Sequence, residues 1–468
     1  MMRNFFASIT RNGISLAGTG LSLASLVLIV SLFVMEQLGF EGGPYLGILT
    51  YLILPMLFVF GLILIPIGTI LQRRRQRNVP GSEDTPLLPV FDLNVPKTRR
   101  WVLLLLGATM VNIVILAGAT YKGVEVMESV EFCGLACHTV MEPEHTAYQR
   151  SAHSRVKCAG CHIGPGADWF VKSKLDGAWQ LVAVAFDLYP RPIPTPLHDL
   201  RPARETCEQC HWPNKFVGDK LTVAKHYADD EVNTELTTAI LLKVGGAEEG
   251  RSTGIHWHVD PGVAIRYRSD ETREEIYEVE FTDNDGSVTH FADRRAPEEG
   301  GLWRTMDCVD CHNRPSHNFY PPDAEIDRAI RGDLIARSLP FVKREALRII
   351  DAKYPSHEEA RVSIKEQLQA YYAENHPQVA SEQASEIAVA AEALGDIYAA
   401  NIFPQMEVWW NTYPEHIGHE TSDGCYRCHT KGMRTAERVQ ISTDCDVCHV
   451  VLAEREENPQ IISDLQLD

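Results

Sequence analysis

The first 132 residues of this 468-residue chain contain no cysteine, and no histidine occurs before His138. Basic residues are scarce as well, because 44 Lys and Arg stand against 63 Asp and Glu and give a formal net charge of −19. Binding to nucleic acid requires a basic surface, so the composition argues against that class. With 45% hydrophobic and 23% charged residues, the chain is neither disordered nor fibrous, and its length allows two or three domains.

Charge is also missing from three long apolar segments, which are residues 14–35, 46–71 and 101–121. Each exceeds the roughly 20 residues that a helix needs to cross the hydrocarbon core, so we predict three transmembrane helices. The first segment could instead be a cleaved signal peptide. Its apolar stretch is longer than a normal h-region, however, and no small-x-small cleavage site follows it.

The charges that flank these segments predict their orientation. Arg3 and Arg11 precede the first helix, and the loop before the second helix has only Glu36 and Glu41. The basic residues between the second and third helices are Arg73, Arg74, Arg75, Arg77, Lys97, Arg99 and Arg100. By the positive-inside rule both basic regions are cytoplasmic, and everything after Tyr121 lies on the outer side. Only five of the 63 acidic residues precede Tyr121, so the net negative charge belongs to the outer part.

All twelve cysteines fall in six pairs, and each pair is followed directly by histidine. Paired cysteines are also found in zinc ribbons and disulfide frameworks. Histidine makes up only 18 of 468 residues, so its presence after all six pairs is far beyond chance. Cys-x-x-Cys-His is the attachment signature of c-type haem. Motifs 1 to 6 are Cys133/Cys137/His138, Cys158/Cys161/His162, Cys207/Cys210/His211, Cys308/Cys311/His312, Cys425/Cys428/His429 and Cys445/Cys448/His449.

These motifs predict six covalent haems. In each, two thioether bonds hold the porphyrin and the adjacent histidine is the proximal ligand of the iron. Motif 1 has three residues between its cysteines instead of two, which lengthens the tether. No cysteine is left for disulfides, although the outer compartment is oxidising. Since the predicted membrane helices contain no histidine, they hold no bis-histidine haem b, and no redox path crosses the bilayer.

The second axial ligand decides whether an iron only transfers electrons or also binds substrate. The predicted distal ligands are His153, His226, His317 and His419, one of His256 and His258, and Met141, which could equally be a packing residue. If the stretch around Trp257 is extended, His256 and His258 face the same side. The other histidines are interpreted as surface or packing residues: His145, His198, His290, His357, His376 and His416. Sequence order does not assign ligands to irons.

The fold class that we predict is a mainly α, membrane-anchored multihaem cytochrome c with little regular structure in its haem-packed outer part. Alternating apolar residues at 263–267 and 277–281 predict antiparallel strands, and a 3.6-residue pattern at 362–372 and 387–398 predicts helices. The predicted domains are a transmembrane hairpin (1–78), a cytoplasmic loop (79–100), a third membrane helix (101–121), a haem domain with motifs 1–3 (122–218), a β-rich insertion (219–300) and a C-terminal haem domain with helices (301–468).

From Trp101 to Gly218 the chain has a distinctive order of features. A membrane helix is followed by Glu131-Phe-Cys, a methionine after motif 1, Ser-x-His before Val-x-Cys-x-x-Cys-His, and Cys-Glu-Gln-Cys-His-Trp-Pro. This region resembles the NapC/NirT/NrfH family of membrane-anchored multihaem c-type cytochromes, which are quinol dehydrogenases. The whole chain, with three predicted membrane helices, is similar to enlarged members in metal-reducing bacteria. It departs from the small members in the spacing of motif 1 and in having three motifs, not four, before the insertion.

The resemblance implies a quinol pocket beside the first haem, at the membrane surface. In the family this pocket uses a lysine and an acidic group near the second haem site, and the matching residues are Lys172, Lys174, Asp168 and Asp176. Oxidation of a quinol releases two protons, so a polar group must accept them. The same four residues could instead be juxtamembrane charges that meet lipid headgroups.

We therefore expect a menaquinol dehydrogenase in the bacterial inner membrane with its haem domain in the periplasm. Its partners would be the quinol pool, periplasmic cytochromes or a reductase, and membrane subunits that contact the N-terminal hairpin, in anaerobic respiration or extracellular electron transfer. Two alternatives stay open. One is a terminal reductase with a five-coordinate haem, and the other is a relay subunit whose quinol site lies on a partner.

Overall fold

The computed structural model describes most of the chain, in two compact units, Met1–His138 and Thr139–Asp468. The described residues are 12–38, 46, 49–77, 93–164, 166–197, 200–212, 218–245, 254–260, 262–283, 285–297 and 299–466. Residues 47 and 48 of the predicted second helix, residues 79–92 of the predicted loop and His198 lie outside this part. The side chain of His138 is also outside it.

The first unit contains three long helices, α1 (Gly13–Gln37), α2 (Leu54–Arg77) and α3 (Pro96–Met127). A π-helical turn, Leu49–Ile53, leads into α2, and a short helix α4 (Val130–Leu135) follows α3. Each of the three long segments is long and apolar enough to cross a membrane, which confirms the predicted spans. Proline at the first position of α3 costs no hydrogen bond, because the N–H groups of the first turn have no partner within the helix.

Helices α1 and α2 pack closely through small residues. A Cβ on Gly18 would lie 2.7 Å from the carbonyl oxygen of Gly61, so only glycine allows this approach. Ser15 Oγ donates to Ile65 O at 2.9 Å, and Ser15 is fully buried. Small residues and interhelical hydrogen bonds replace the hydrophobic effect inside a bilayer, where lipid tails are as apolar as leucine.

Short helices carry the region of motifs 2 and 3. They are α5 (His138–Gln149), α6 (Cys158–His162), α7 (Ala167–Ala185) and α8 (Ala203–Cys207). Motifs 4, 5 and 6 each lie on a 3₁₀ turn, at Cys308–Asp310, Gly424–Arg427 and Cys445–Val447. Two further 3₁₀ turns are Ile255–Val259 and Pro404–Met406.

Two antiparallel sheets follow, as the sequence predicts in part. Their strands are β1 (Lys220–Tyr227), β2 (Glu235–Leu242), β3 (Ala264–Ser269), β4 (Ile276–Thr282), β5 (Val288–Asp293), β6 (Leu302–Thr305), β7 (Met433–Arg434) and β8 (His449–Glu456). The strand orders are β1-β2-β8 and β6-β3-β4-β5-β7. Tyr267 of β3 pairs with Val279 of β4, and both point into the apolar core. Strands β6, β7 and β8 lie beyond residue 300 in the sequence, near motifs 4, 5 and 6. In the structure they form edge strands of the two sheets.

A helical layer completes the second unit. It consists of α9 (Pro322–Arg331), α10 (Val342–Ile350), α11 (His357–Asn375), α12 (Pro377–Glu382) and α13 (Ala384–Asn401), with α14 (Gln460–Asp464) at the C-terminus. The helical patterns predicted at 362–372 and 387–398 lie inside α11 and α13. Ile349, Ile364 and Leu394 are fully buried in their common core.

A buried ion-pair network joins this layer to the first sheet. Lys343 on α10 is 1% exposed, and its Nζ bonds Asp327 and lies 2.8 Å from Asp323 Oδ1. The backbone N–H of Tyr227, on β1, donates to Asp327 Oδ1 at 3.2 Å. Asp327 is 4% exposed, so its charge depends on these partners instead of on water.

We expect Lys343→Ala to lower the free energy of unfolding of the second unit by about 3 kcal/mol, because it leaves the buried Asp327 carboxylate without a cation. Lys365→Ala, on the exposed face of α11, removes the same charge and should change stability by less than about 0.5 kcal/mol. Thermal unfolding of the two variants in detergent would check this. Equal melting temperatures would contradict it.

Candidate functional site

Five of the six predicted proximal histidines, those of motifs 2 to 6, face the ring of another histidine. The distances between ring centres are 6.0 Å for His153 and His211, 6.2 Å for His162 and His317, 6.4 Å for His256 and His312, 5.9 Å for His258 and His429, and 6.1 Å for His419 and His449. Two imidazole nitrogens, each about 2 Å from one metal and about 1.1 Å from its own ring centre, would put the centres about 6 Å apart. Motifs 2 to 6 therefore fit an iron with two axial histidines.

In five of these ten histidines the backbone holds the Nδ1 atom of the ring. The Nδ1 atoms and their carbonyl partners are His153 with Pro315 O (3.1 Å), His317 with Glu144 O (3.0 Å), His256 with Val244 O (3.1 Å), His258 with Ile255 O (2.8 Å) and His429 with Ser442 O (2.7 Å). A carbonyl oxygen only accepts, so each Nδ1 carries the proton and donates. The lone pair of Nε2 is then available to a metal, and the ring orientation is fixed.

Burial favours the neutral form that binds iron. It lowers the pKa of His162, and the neighbouring His317 lowers it further. Burial is also the largest cause of the lowered pKa values of His258 and His312. Because a metal ligand must be unprotonated, these environments favour ligation at neutral pH.

Local helical geometry explains the Cys-x-x-Cys-His spacing. Residues i, i+3 and i+4 of a helical turn lie on one side, so both cysteines and the histidine point toward one haem. The histidine N–H closes the turn on the carbonyl oxygen of the first cysteine. The distances are 2.8 Å from His211 to Cys207, 2.8 Å from His312 to Cys308 and 3.0 Å from His429 to Cys425.

None of the twelve predicted haem-binding cysteines is fully buried, and none forms a disulfide. Cys161, Cys210, Cys311 and Cys445 are exposed, and the other eight are half-buried. This differs from a cysteine that only fills a core, because a free cysteine in that role is among the most buried residue types. Exposure of the second cysteine in motifs 2 and 3 leaves its thiol accessible for a thioether bond, so the predicted attachment role is favoured over packing.

The structure brings some of the predicted distal ligands, but not all of them, opposite a predicted proximal histidine. His153, His317 and His419 each face a proximal histidine. His256 and His258 both do so, although the sequence led us to expect only one of them. The extended conformation considered for this stretch is wrong, because Ile255–Val259 is a 3₁₀ turn.

His226 is placed elsewhere. It lies on β1, and its Nδ1 is 3.4 Å from Asp327 Oδ2 of α9, not opposite a described proximal histidine. With Asp323 and Asp327 it forms a group of the size that could hold a metal ion, but the Lys343 ammonium already contacts both carboxylates. The role of His226 as a distal ligand stays a prediction.

The ligation of motif 1 stays a prediction. Met141 is half-buried on α5, and the side chain of His138 lies outside the described residues. Of the histidines interpreted as surface or packing residues, His290 contacts Glu278, His357 contacts Ile402 O, His416 contacts Glu274, His145 contacts Gln149 and His376 contacts Tyr371.

Motifs 2 to 6 follow one another in space in their chain order. A hydrogen bond to the Cys308 thiol of motif 4 lowers the pKa of Cys207 in motif 3. Desolvation of the thiol raises the pKa of Cys311 to about 11, and Cys425 of the next motif raises it in the same direction. The thiols of successive motifs that influence one another are Cys161 and Cys207, Cys207 and Cys308, Cys311 and Cys425, and Cys425 and Cys448.

The four candidate quinol residues all lie on α7, but they do not share one face. Asp168, Lys172 and Asp176 are spaced by four residues and therefore line one side. Lys174 is two residues from Lys172 and lies on another side. Lys172 Nζ lies 5.1 Å from the centre of the Trp169 ring, and Lys174 Nζ lies 4.8 Å from the centre of the Phe170 ring.

An exposed apolar stripe runs along α7 beside this polar face. Its members recur at helical spacing and are 41–72% exposed: Val171, Leu175, Trp179, Val182 and Phe186. A row of this length that is left open to solvent marks a surface that contacts lipid, ligand or protein.

The predicted distal ligand His317 has a half-buried carboxylate next to it. Glu144 accepts hydrogen bonds from Arg314 Nη2 at 2.9 Å through both carboxylate oxygens. Its Oε2 is also 3.1 Å from His317 Nδ1. A carboxylate next to Nδ1–H makes the imidazole a stronger donor to its metal.

Comparison with known proteins shows a matching family and several relatives. Residues 95–190 match the NapC/NirT cytochrome c family, N-terminal region. The cytochrome c-type protein ImcH of Geobacter sulfurreducens is 42% identical over 453 residues, which are 96% of this chain and 89% of ImcH. The cytochrome c-type protein TorC of Escherichia coli K12 is 33% identical over 92 residues, which are 18% of this chain and 23% of TorC. No solved structure matches the chain.

We expect Glu144→Gln to raise the reduction potential of the haem at motif 2, because loss of the carboxylate weakens the His317 imidazole as a donor and leaves the Arg314 charge nearby. Glu142→Gln removes the same charge two residues away at an exposed position and should leave all potentials unchanged. Spectroelectrochemical titration would measure both variants. An unchanged titration curve for Glu144→Gln would contradict the expectation.

Proposed function

Because the chain belongs to the NapC/NirT cytochrome c family, we propose that it oxidises menaquinol at the outer face of the bacterial inner membrane and passes the electrons through six covalent haems to periplasmic redox partners. Membership of a cytochrome c family implies covalently bound haem, and three helices of the described part are long and apolar enough to cross a membrane. The observation that carries the proposal is the set of five facing imidazole pairs at motifs 2 to 6.

Bound haem supplies reversible one-electron transfer at its iron. At motifs 2 to 6 each haem would be held by a pair of histidines, of which one is the proximal histidine of the motif: His162, His211, His312, His429 or His449. An iron held by two histidines would transfer electrons without binding a substrate. This favours electron transfer over the alternative of a terminal reductase, which would have to use motif 1.

The spatial order of the motifs supports a relay. Since successive motifs approach one another from motif 2 to motif 6, the two ends of the series are motif 2, near α7, and motif 6. Cys445 of motif 6 is exposed, which suits contact with a soluble partner. The acidic outer part would favour a basic partner.

We place quinol binding at α7. Each quinol loses two electrons and two protons when it is oxidised, and the electrons leave singly while the protons need an acceptor. Asp168 and Asp176 lie one turn to either side of Lys172, so a carboxylate can take a hydroxyl proton while the ammonium binds the oxygen that becomes negative. The neighbouring apolar stripe of α7 suits the isoprenoid tail and the lipid around it.

The orientation in the membrane follows from the loop charges. Nine basic residues flank or join the three helices on the predicted cytoplasmic side, and the outer loop between the first two has none. With α7 and the electron acceptors all on the outer side, protons and electrons leave on the same side, and the reaction is electroneutral.

We expect Lys172→Ala and Asp176→Asn each to slow reduction of the haems by a menaquinol analogue at least tenfold, because they remove a hydroxyl ligand or a proton acceptor. Dithionite should still reduce every haem. Lys157→Ala, which removes an exposed lysine just before motif 2, is the matched control and should keep the wild-type rate. Stopped-flow absorbance would measure these rates.

Wild-type rates in both variants would overturn the quinol site on α7. If the purified wild-type protein itself is not reduced by menaquinol but is reduced by dithionite, the chain is a relay subunit whose quinol site lies on a partner.

A further inference from the structure

We propose that the single 3₁₀ turn Ile255–Val259 binds two different irons, His256 the iron of motif 4 and His258 the iron of motif 5. The inference rests on the haem attachment in the proposed function, but not on quinol oxidation. Its consequence is that the two residues on either side of Trp257 join two neighbouring haems through one short piece of backbone.

The ring contacts assign each histidine to its own partner. His256 faces His312 at 6.4 Å with the ring planes 8° from parallel. His258 faces His429 at 5.9 Å with the planes 73° apart. Both separations are those of two imidazoles on opposite sides of one metal ion, which are about 6 Å.

The conformation of the turn allows the side chains of His256 and His258 to point in different directions. In a 3₁₀ helix each residue is rotated by about 120° from the last, so side chains two positions apart point in different directions. In an extended strand the same two side chains would lie on one face. The turn begins at Gly254, whose φ of 75° favours glycine, and a Cβ there would lie 2.8 Å from the backbone nitrogen of Gly245.

The turn is anchored on several sides. The Trp257 ring packs 5.2 Å from Phe281 of β4 and joins the apolar core that contains Cys428 of motif 5. Arg204 of α8, in the segment that leads into motif 3, donates from Nη2 to Val259 O at 2.8 Å. The Nδ1 hydrogen bonds of His256 and His258 fix both rings. Trp257 is therefore a positioning residue for two ligands.

The neighbouring motifs meet at this turn. Cys311 of motif 4 lies close enough to Cys425 of motif 5 for the two thiols to interact. Arg427, between the cysteines of motif 5, donates to Asp310 O, between the cysteines of motif 4. The turn would fix the spacing of two haems that the rest of the structure already brings together.

The different ring angles give the two irons different signatures. In a ferric low-spin haem, parallel axial imidazole planes give a rhombic EPR signal, and nearly perpendicular planes give one signal at a large g value. We therefore expect the motif 4 haem to give the most rhombic EPR signal. The motif 5 haem should belong to the large-g group, together with the motif 3 haem, whose planes are 76° apart.

The test uses His256→Gly, His258→Gly and the double variant in the haem-loaded full-length protein. Each single variant opens one coordination position, so each should convert one haem from low spin to high spin, and added imidazole should restore it. His256→Gly should remove the most rhombic signal, and His258→Gly one large-g signal. The double variant should contain two high-spin haems.

His290→Gly, an exposed histidine on β5 of the same sheet, is the control and should change no EPR signal. A single high-spin haem in the double variant would overturn the proposal, as would an unchanged spectrum in either single variant. If the glycine variants lose haem, His256→Met and His258→Met provide the second test. Each keeps a sixth ligand and should raise the potential of one haem, a different haem in each variant. A shift of the same haem in both would also contradict the inference.

Discussion

The proposed haem binding of the second unit depends on one arrangement, in which histidines from distant segments lie in pairs with their ring centres about 6 Å apart. A proximal histidine is fixed by its own motif, so the distal histidine has to come from another part of the chain. His162 is met by His317 and His258 by His429, in each case across a long separation in sequence. Backbone carbonyls then hold the rings, so a ligand pair depends on the fold around it as much as on the two histidines.

The sheets and helices between the motifs make these pairings possible. The five-stranded sheet provides the core against which Trp257 packs, and its outer strand β7 follows motif 5 directly. Strand β8 begins at His449, the proximal histidine of motif 6, and pairs with β2. The β-rich region between motifs 3 and 4 thus holds His256 and His258 opposite the predicted proximal histidines of motifs 4 and 5. The helical layer has its own apolar core and is tied to β1 through Asp327.

The features that depend on neighbouring residues could be predicted from the sequence. The membrane helices, the six motifs, strands β3 and β4 and helices α11 and α13 all follow from runs and periodicities of neighbouring residues. Ligand pairing could not be predicted, because it depends on contacts between distant segments. His226 shows this, since it lies near motif 3 in sequence but contacts Asp327 on α9. His256 and His258 show it too, because periodicity does not distinguish a strand from a 3₁₀ turn in so short a stretch.

Near-infrared magnetic circular dichroism of the fully oxidised protein, with covalent haem counted per chain, would determine the ligation of every haem. The energy of the porphyrin-to-iron charge-transfer band identifies the axial ligand pair of each low-spin haem. We expect six covalent haems per chain and bis-histidine bands equivalent to at least five of them. Fewer than five bis-histidine haems, or high-spin iron at more than one site, would contradict the pairing of histidines described for motifs 2 to 6.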